Sequence, residues 1–150
     1  MRPTLPASST LLPAVSAGIV AIGVTINTGF PASVRTVPAV LLIAAGLFGV
    51  ARSVRGRSVD SLRLAARRWW VLAFAAFLPY GLATAPSNEQ AEAVGEAFSG
   101  PLATTALEGI AGAAILCAVA VTVLYWFARY GIHPGRPTPE ERILDDQGSK

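Results

Sequence analysis

Four stretches of this chain run without a charged residue, and polar, charged or Gly/Pro-containing segments divide them. The pattern predicts helical spans over residues 11–27, 37–54, 69–84 and 106–129. The first is charge-free from Leu11 to Ile26. As a helix that stretch rises ~24 Å, short of a ~30 Å hydrocarbon core, although its uncharged flanks can lengthen it. Ser8, Ser9 and Thr10 are candidate N-caps, and Pro13 fits a first turn, where its missing N–H is harmless. Asn27-Thr28-Gly29-Phe30-Pro31 has the chemistry of a turn. The second, Val37 to Val54, is charge-free as far as Ala51, with Thr36 as a candidate cap, Pro38 near its start, and Arg52 and Arg55 marking its far end. The third, Trp69 to Thr84, carries Pro79, which is expected to kink its outer half. The fourth is charge-free from Gly109 to Ala128, and Thr105-Ala106-Leu107-Glu108 before it reads as a capping box. Two glycines and three prolines from Gly131 through Pro139 stop that helix, leaving a polar tail over 131–150.

Two of the separating segments have a periodicity of their own. Between Arg52 and Arg68 stand six arginines, Arg52, Arg55, Arg57, Arg63, Arg67 and Arg68, against the single acid Asp60. Val59, Leu62, Ala66 and Trp69 recur within it at helical spacing on one stripe. That pattern reads as a short amphipathic helix lying on a membrane surface, or equally as the first turns of the third span continued without a break. Between Ser87 and Pro101 the charge is acidic, with Glu89, Glu92 and Glu96 and no base. Ser87-Asn88-Glu89-Gln90 fits a capping box, and Ala91, Val94 and Phe98 follow at helical spacing. The expected class is therefore all-α: a single polytopic membrane domain of four transmembrane helices in a bundle, with short surface helices in the two longer loops.

Composition sharpens this expectation. Only 14% of the 150 residues are charged and 53% are hydrophobic, with a mean hydropathy of +0.52. A soluble domain carries about 25% charged residues to wet its surface. The net charge of +3 and the pI near 9.6 would alone suggest a polyanionic partner. The arginines, however, sit where topology requires them. Short arginine-rich loops stay in the cytoplasm. The loop between spans two and three holds six arginines, whereas the loop after span three has none and the first loop has only Arg35. Both termini are thus expected in the cytoplasm of a cell-membrane protein. Trp69 and Trp70 open span three while Tyr125, Trp126 and Tyr130 close span four, so one interface would receive both groups. A cleaved signal peptide is the competing reading of the first span. Arg2 alone makes a thin positive region and no small-x-small site follows, so a retained span is preferred. Arginine outnumbers lysine eleven to one, a bias expected of a GC-rich prokaryotic genome.

Candidate chemistry is sparse. With one cysteine, Cys117, neither an intrachain disulfide nor a paired-thiol exchange is possible, and a packing role is the simpler reading. One histidine, His133, cannot hold a haem between two histidines, and clustered zinc ligands are missing. Ser16 lies inside span one with no base in reach. Glu108 is the charge closest to a span interior and the candidate for an ion or proton site; the plainer reading is a cap carboxylate complementing the helix dipole. Pro79 and Tyr80 could open carbonyls to a ligand, though a packing kink is the commoner cause. The six arginines suit anionic lipid headgroups better than nucleic acid. Small residues mark packing faces: Ala14, Gly18, Ala21 and Thr25 on span one, Ala45 and Gly49 on span two, and Thr105, Gly109, Ala113 and Ala120 on span four.

No cofactor and no metal site is expected. The reading is a non-enzymatic accessory, assembly or oligomeric component of the membrane, with the lipid bilayer and its own copies or other membrane proteins as partners. The alternative is a small transporter or channel using Glu108 at the outer mouth, and a membrane enzyme built on Asp60, Glu108 or the arginines stands third.

Overall fold

A computed structural model describes residues 8–28 and 36–131, and all regular structure among them is helical. The elements are α1 (Ser8–Thr28), α2 (Thr36–Val54), α3 (Val59–Thr84), α4 (Glu89–Glu96) and α5 (Pro101–Arg129). The turn expected around Gly29, Phe30 and Pro31, together with Arg2, Arg35, His133 and the tail, falls outside the described residues. Three helices are long and apolar enough to cross a membrane: α1, α2 and α5. A fourth joins them when α3 is taken together with α4, which bends away from it by 106°.

Local signals explain the boundaries. Ser8, Ser9 and Thr10 belong to the first turn of α1 itself, which moves Pro13 into the second turn. Between α2 and α3 the chain reverses through Gly56 at φ +76°, a left-handed conformation that glycine adopts without a Cβ clash. Ser58 then caps α3: its hydroxyl accepts from Ser61 N at 3.4 Å, and Ser61 Oγ donates to the Ser58 carbonyl at 2.8 Å.

From that cap α3 continues unbroken to Thr84. The stretch from Val59 to Arg68 is therefore the beginning of the third long helix and not a separate surface helix. Its apolar stripe explains why. Leu62 and Ala66 are buried among the other helices, whereas Arg63, Arg67 and Arg68 point outward. A stripe that can pack against protein has no need to lie flat on lipid. Pro79 is accommodated inside α3, whose end is closed by Ala85 N donating to the Gly81 carbonyl at 2.8 Å.

The acidic segment does form a helix. Asn88 Oδ1 accepts from Ala91 N at 2.8 Å, and Gly95 lies so close to the Leu82 carbonyl that a side chain there would collide with it. The small residue lets α4 fold back over the end of α3. Gly100 at φ +139° and Pro101 at N1 then launch α5. The fourth long helix thus begins about a turn earlier than residue 106. Thr105 is no cap; it lies within the helix, its hydroxyl donating to the Pro101 carbonyl at 2.7 Å.

Long helices consecutive in the chain run antiparallel. α1 packs on α2 through Ser16, Val20 and Gly23, and α5 touches α1, α2 and α3. The interior is built of small side chains, with Val20, Val50, Ala113, Cys117 and Val121 in one cluster and Ala73, Ala114 and Ala118 in another. The outside stays apolar: Leu41, Phe48, Phe74 and Leu78 are each at least 64% exposed. In Leu11–Thr28 only 17% of residues are buried inside the protein, and Leu11, Leu12, Val15 and Ile22 are exposed. A soluble helix would bury such a face against its own core.

Candidate functional site

The antiparallel packing gathers charge at two opposite ends. The start of α1, the end of α2, the start of α3 and the end of α5 share one end, which carries Arg52, Arg55, Arg57, Arg63, Arg67, Arg68 and Arg129. The other end carries α4 with Glu89, Glu92 and Glu96, together with Glu108 on α5.

At the basic end the arginines are held by rigid elements. Arg52 is in the last turn of α2, Arg55 and Arg57 flank Gly56, and Arg63, Arg67 and Arg68 project from α3 opposite its buried stripe. Asp60 sits in the first turn of α3, where its charge complements the helix dipole. The aromatic residues lie just above. Trp70 Nε1 donates to Thr122 Oγ1 at 3.1 Å, which ties α3 to α5 and sets Trp69 and Trp70 beside the last turns of α5. There Trp126 stacks on Tyr130 with ring centroids 5.8 Å apart, Arg129 lies 5.7 Å over the Trp126 ring, and Arg129 Nη1 donates to the Tyr125 hydroxyl at 3.2 Å. The two aromatic groups thus share one end of the molecule, the arginine end.

At the acidic end Glu108 is half-buried, about two turns inside α5, so the cap role expected of it is ruled out by the earlier helix start. Its neighbour Gly109 is pressed against Thr25 and the Ala21 carbonyl of α1. A shallow groove between α1 and α5 opens here, walled by Ala21, Ile22, Thr25, Ala106, Gly109 and Ile110. Tyr80 is half-buried on α3, and its carbonyl accepts from Thr84 Oγ1 at 2.8 Å. Hydroxyls along the long helices are largely turned back onto their own backbone. Thr28 donates to the Val24 carbonyl, Thr105 to that of Pro101 and Thr122 to that of Ala118. This is the usual way to satisfy a hydroxyl in apolar surroundings.

The small residues divide in a way that spacing did not reveal. Gly49 lies against the Ser16 side chain, Gly109 against Thr25, and Ala113 is in the core. Gly18, grouped with them by sequence, is exposed with nothing within 4 Å of a side chain placed there; Ala14 and Ala45 are exposed as well. Sequence spacing missed Gly46 and Gly23, whose neighbours are the Ser16 and Ala39 carbonyls. Cys117 is fully buried, a packing residue. Among the described residues no group of His, Cys, Asp and Glu is placed to hold a metal.

Comparison with protein-family models, with curated proteins and with solved structures finds no match to this chain.

Proposed function

We propose that the protein is a multi-pass component of the cell membrane that acts by contact, as an accessory, assembly or oligomeric element, with all four long helices as spans. The observation carrying this reading is the distribution of polarity. The interior is filled by Val, Ala, Gly and Cys117, the flanks are apolar, and charge is confined to the two ends. Such an object presents shape and apolar surface for recognition. In this reading the arginine end faces the cytoplasm with both termini, and its guanidinium groups meet anionic headgroups, at about 1 kcal/mol for each arginine near the surface. Cross-linking in native membranes tests it. A defined adduct, either with a second copy or with another membrane protein, is the expected result; recovery of the single chain with its cellular activity intact would overturn it.

A second reading has one observation in its favour. Glu108 is half-buried beside the α1–α5 contact, where a carboxylate can exchange a proton or hold a cation at the mouth of a small transporter or channel. Flux into vesicles containing the purified protein, abolished by Glu108→Gln, would establish that reading over the first.

A further inference from the structure

We propose that the protein is built for a bilayer with a thin hydrocarbon core, about 24 Å rather than about 30 Å. This rests on the membrane reading above and names the kind of bilayer the apolar belt fits.

The argument comes from the register of the helices. At the basic end, the Trp70–Thr122 hydrogen bond brings Arg67 and Arg68 level with α5 just beyond Thr122. From α5 the register passes to α1 through Gly112 against Val24 and Gly109 against Thr25, and that level falls near Pro13. From α1 it passes to α2 through Ser16 against Gly49, and one turn further on stands Arg52. Arg52 and Arg68, on different helices, are thus brought to the same height by a chain of separate contacts. At the acidic end the same register brings together Thr28, Thr36 and Thr84, and each is the first or last residue of its helix. Glu108 of α5 lies at that height too.

Between the two levels each long helix contributes about 16 residues, a rise of ~24 Å. A tilt of the helices would lower that value further. The charges that bound this belt stand on α2 and α3 at the basic edge and on α5 at the acidic edge, whereas α1 and α5 pass the basic level uncharged, α5 as far as Ala128. The two edges differ in tolerance. Arginine can extend its charge outward along a long stem, so the basic edge can yield to a thicker bilayer. Glutamate is short, and α5 continues uncharged past Glu108 to Pro101, with Leu102 86% exposed. A thicker core would therefore draw the Glu108 carboxylate into hydrocarbon, which makes this residue the limit on the acidic side.

The test uses the full chain reconstituted in phosphatidylcholine vesicles whose monounsaturated acyl chains run from roughly 14 to roughly 22 carbons. Thermal unfolding is followed by tryptophan fluorescence, and quenching by brominated acyl chains reports embedding. The expected result is quenching throughout, with the highest unfolding midpoint among the shortest chains and a steady fall toward the longest. For Glu108→Leu, with Glu108→Gln as the gentler substitute, the optimum moves to longer chains, whereas simple destabilisation would lower every midpoint alike. A flat profile with quenching, or an optimum at about 18 carbons or more, overturns the thin-belt proposal and leaves the membrane reading standing. An optimum unmoved in both variants overturns Glu108 as the outer limit, and with it the belt. Absence of quenching at every chain length overturns the membrane reading itself, and the proposal with it.

Discussion

Helix contacts in this protein are made where a side chain is small or missing, and individual positions therefore differ sharply in what they tolerate. Gly109 and Gly18 look alike as small residues along their helices, yet one is pressed against Thr25 and the other faces open space. Gly109→Val is expected to cost about 1–3 kcal/mol through overpacking. Gly18→Val is expected to change stability by less than about 0.5 kcal/mol. Parallel unfolding titrations in detergent or bicelles would check the pair, and equal losses at both sites would contradict the α1–α5 contact described. The Trp70–Thr122 hydrogen bond is open to a similar experiment. Thr122→Val keeps the shape of the side chain and removes the acceptor, with an expected loss of about 0.6 kcal/mol, the average for such bonds between membrane helices. Trp70→Phe should cost no more when combined with it than alone, which a double-mutant cycle would read. Spacing along the chain could select small residues but could not say which of them meet a neighbour. That depends on how each helix is rotated about its axis, and a helix rich in Ala and Gly presents small residues on every side.

The elements themselves were largely visible in the pattern of apolar residues, because each long helix contains an uncharged run closed by a turn signal. Where the reading departed from the structure, a charged stretch was involved. Arginines between Val59 and Trp69 left open a separate surface helix or an unbroken start of the third span, and α3 passes through them without interruption. Gly56 and the Ser58 cap were the local clue, since both mark a helix start ten residues before Trp69. Leu62 tests this directly. Because it is buried in the bundle, Leu62→Ala should cost about 2 kcal/mol or more, measured by chemical unfolding, while a residue resting on lipid would lose far less. At the other end, Thr105-Ala106-Leu107-Glu108 looked like a helix start, but Gly100-Pro101 provides an earlier one. Both signals are real start chemistry, and the neighbours of α5 permit the longer helix.

For the whole molecule, polarity divides into a basic end, an apolar belt and an acidic end, and this division carries the proposed topology. In a Cys117→Ala background, Ser58→Cys is expected to resist a membrane-impermeant thiol reagent added to sealed cells, and Ser87→Cys to react with it. Labelling at position 58 from outside would reverse the orientation; labelling at both would remove α3 as a span. The aromatic residues join the arginines at one end through contacts between α3 and α5, so the same experiment places Trp126 and Tyr130 as well.

The linear order of residues was sufficient to indicate a helical protein with several apolar runs and with charge restricted to particular segments. Those properties follow from hydrogen bonding and solvation along a single helix, and no neighbour is needed to define them. The depth of Glu108 in α5, the continuity of α3 and the choice between Gly18 and Gly109 became visible with the helices assembled. Each depends on which faces meet and at what height, and such quantities arise between segments far apart in the chain.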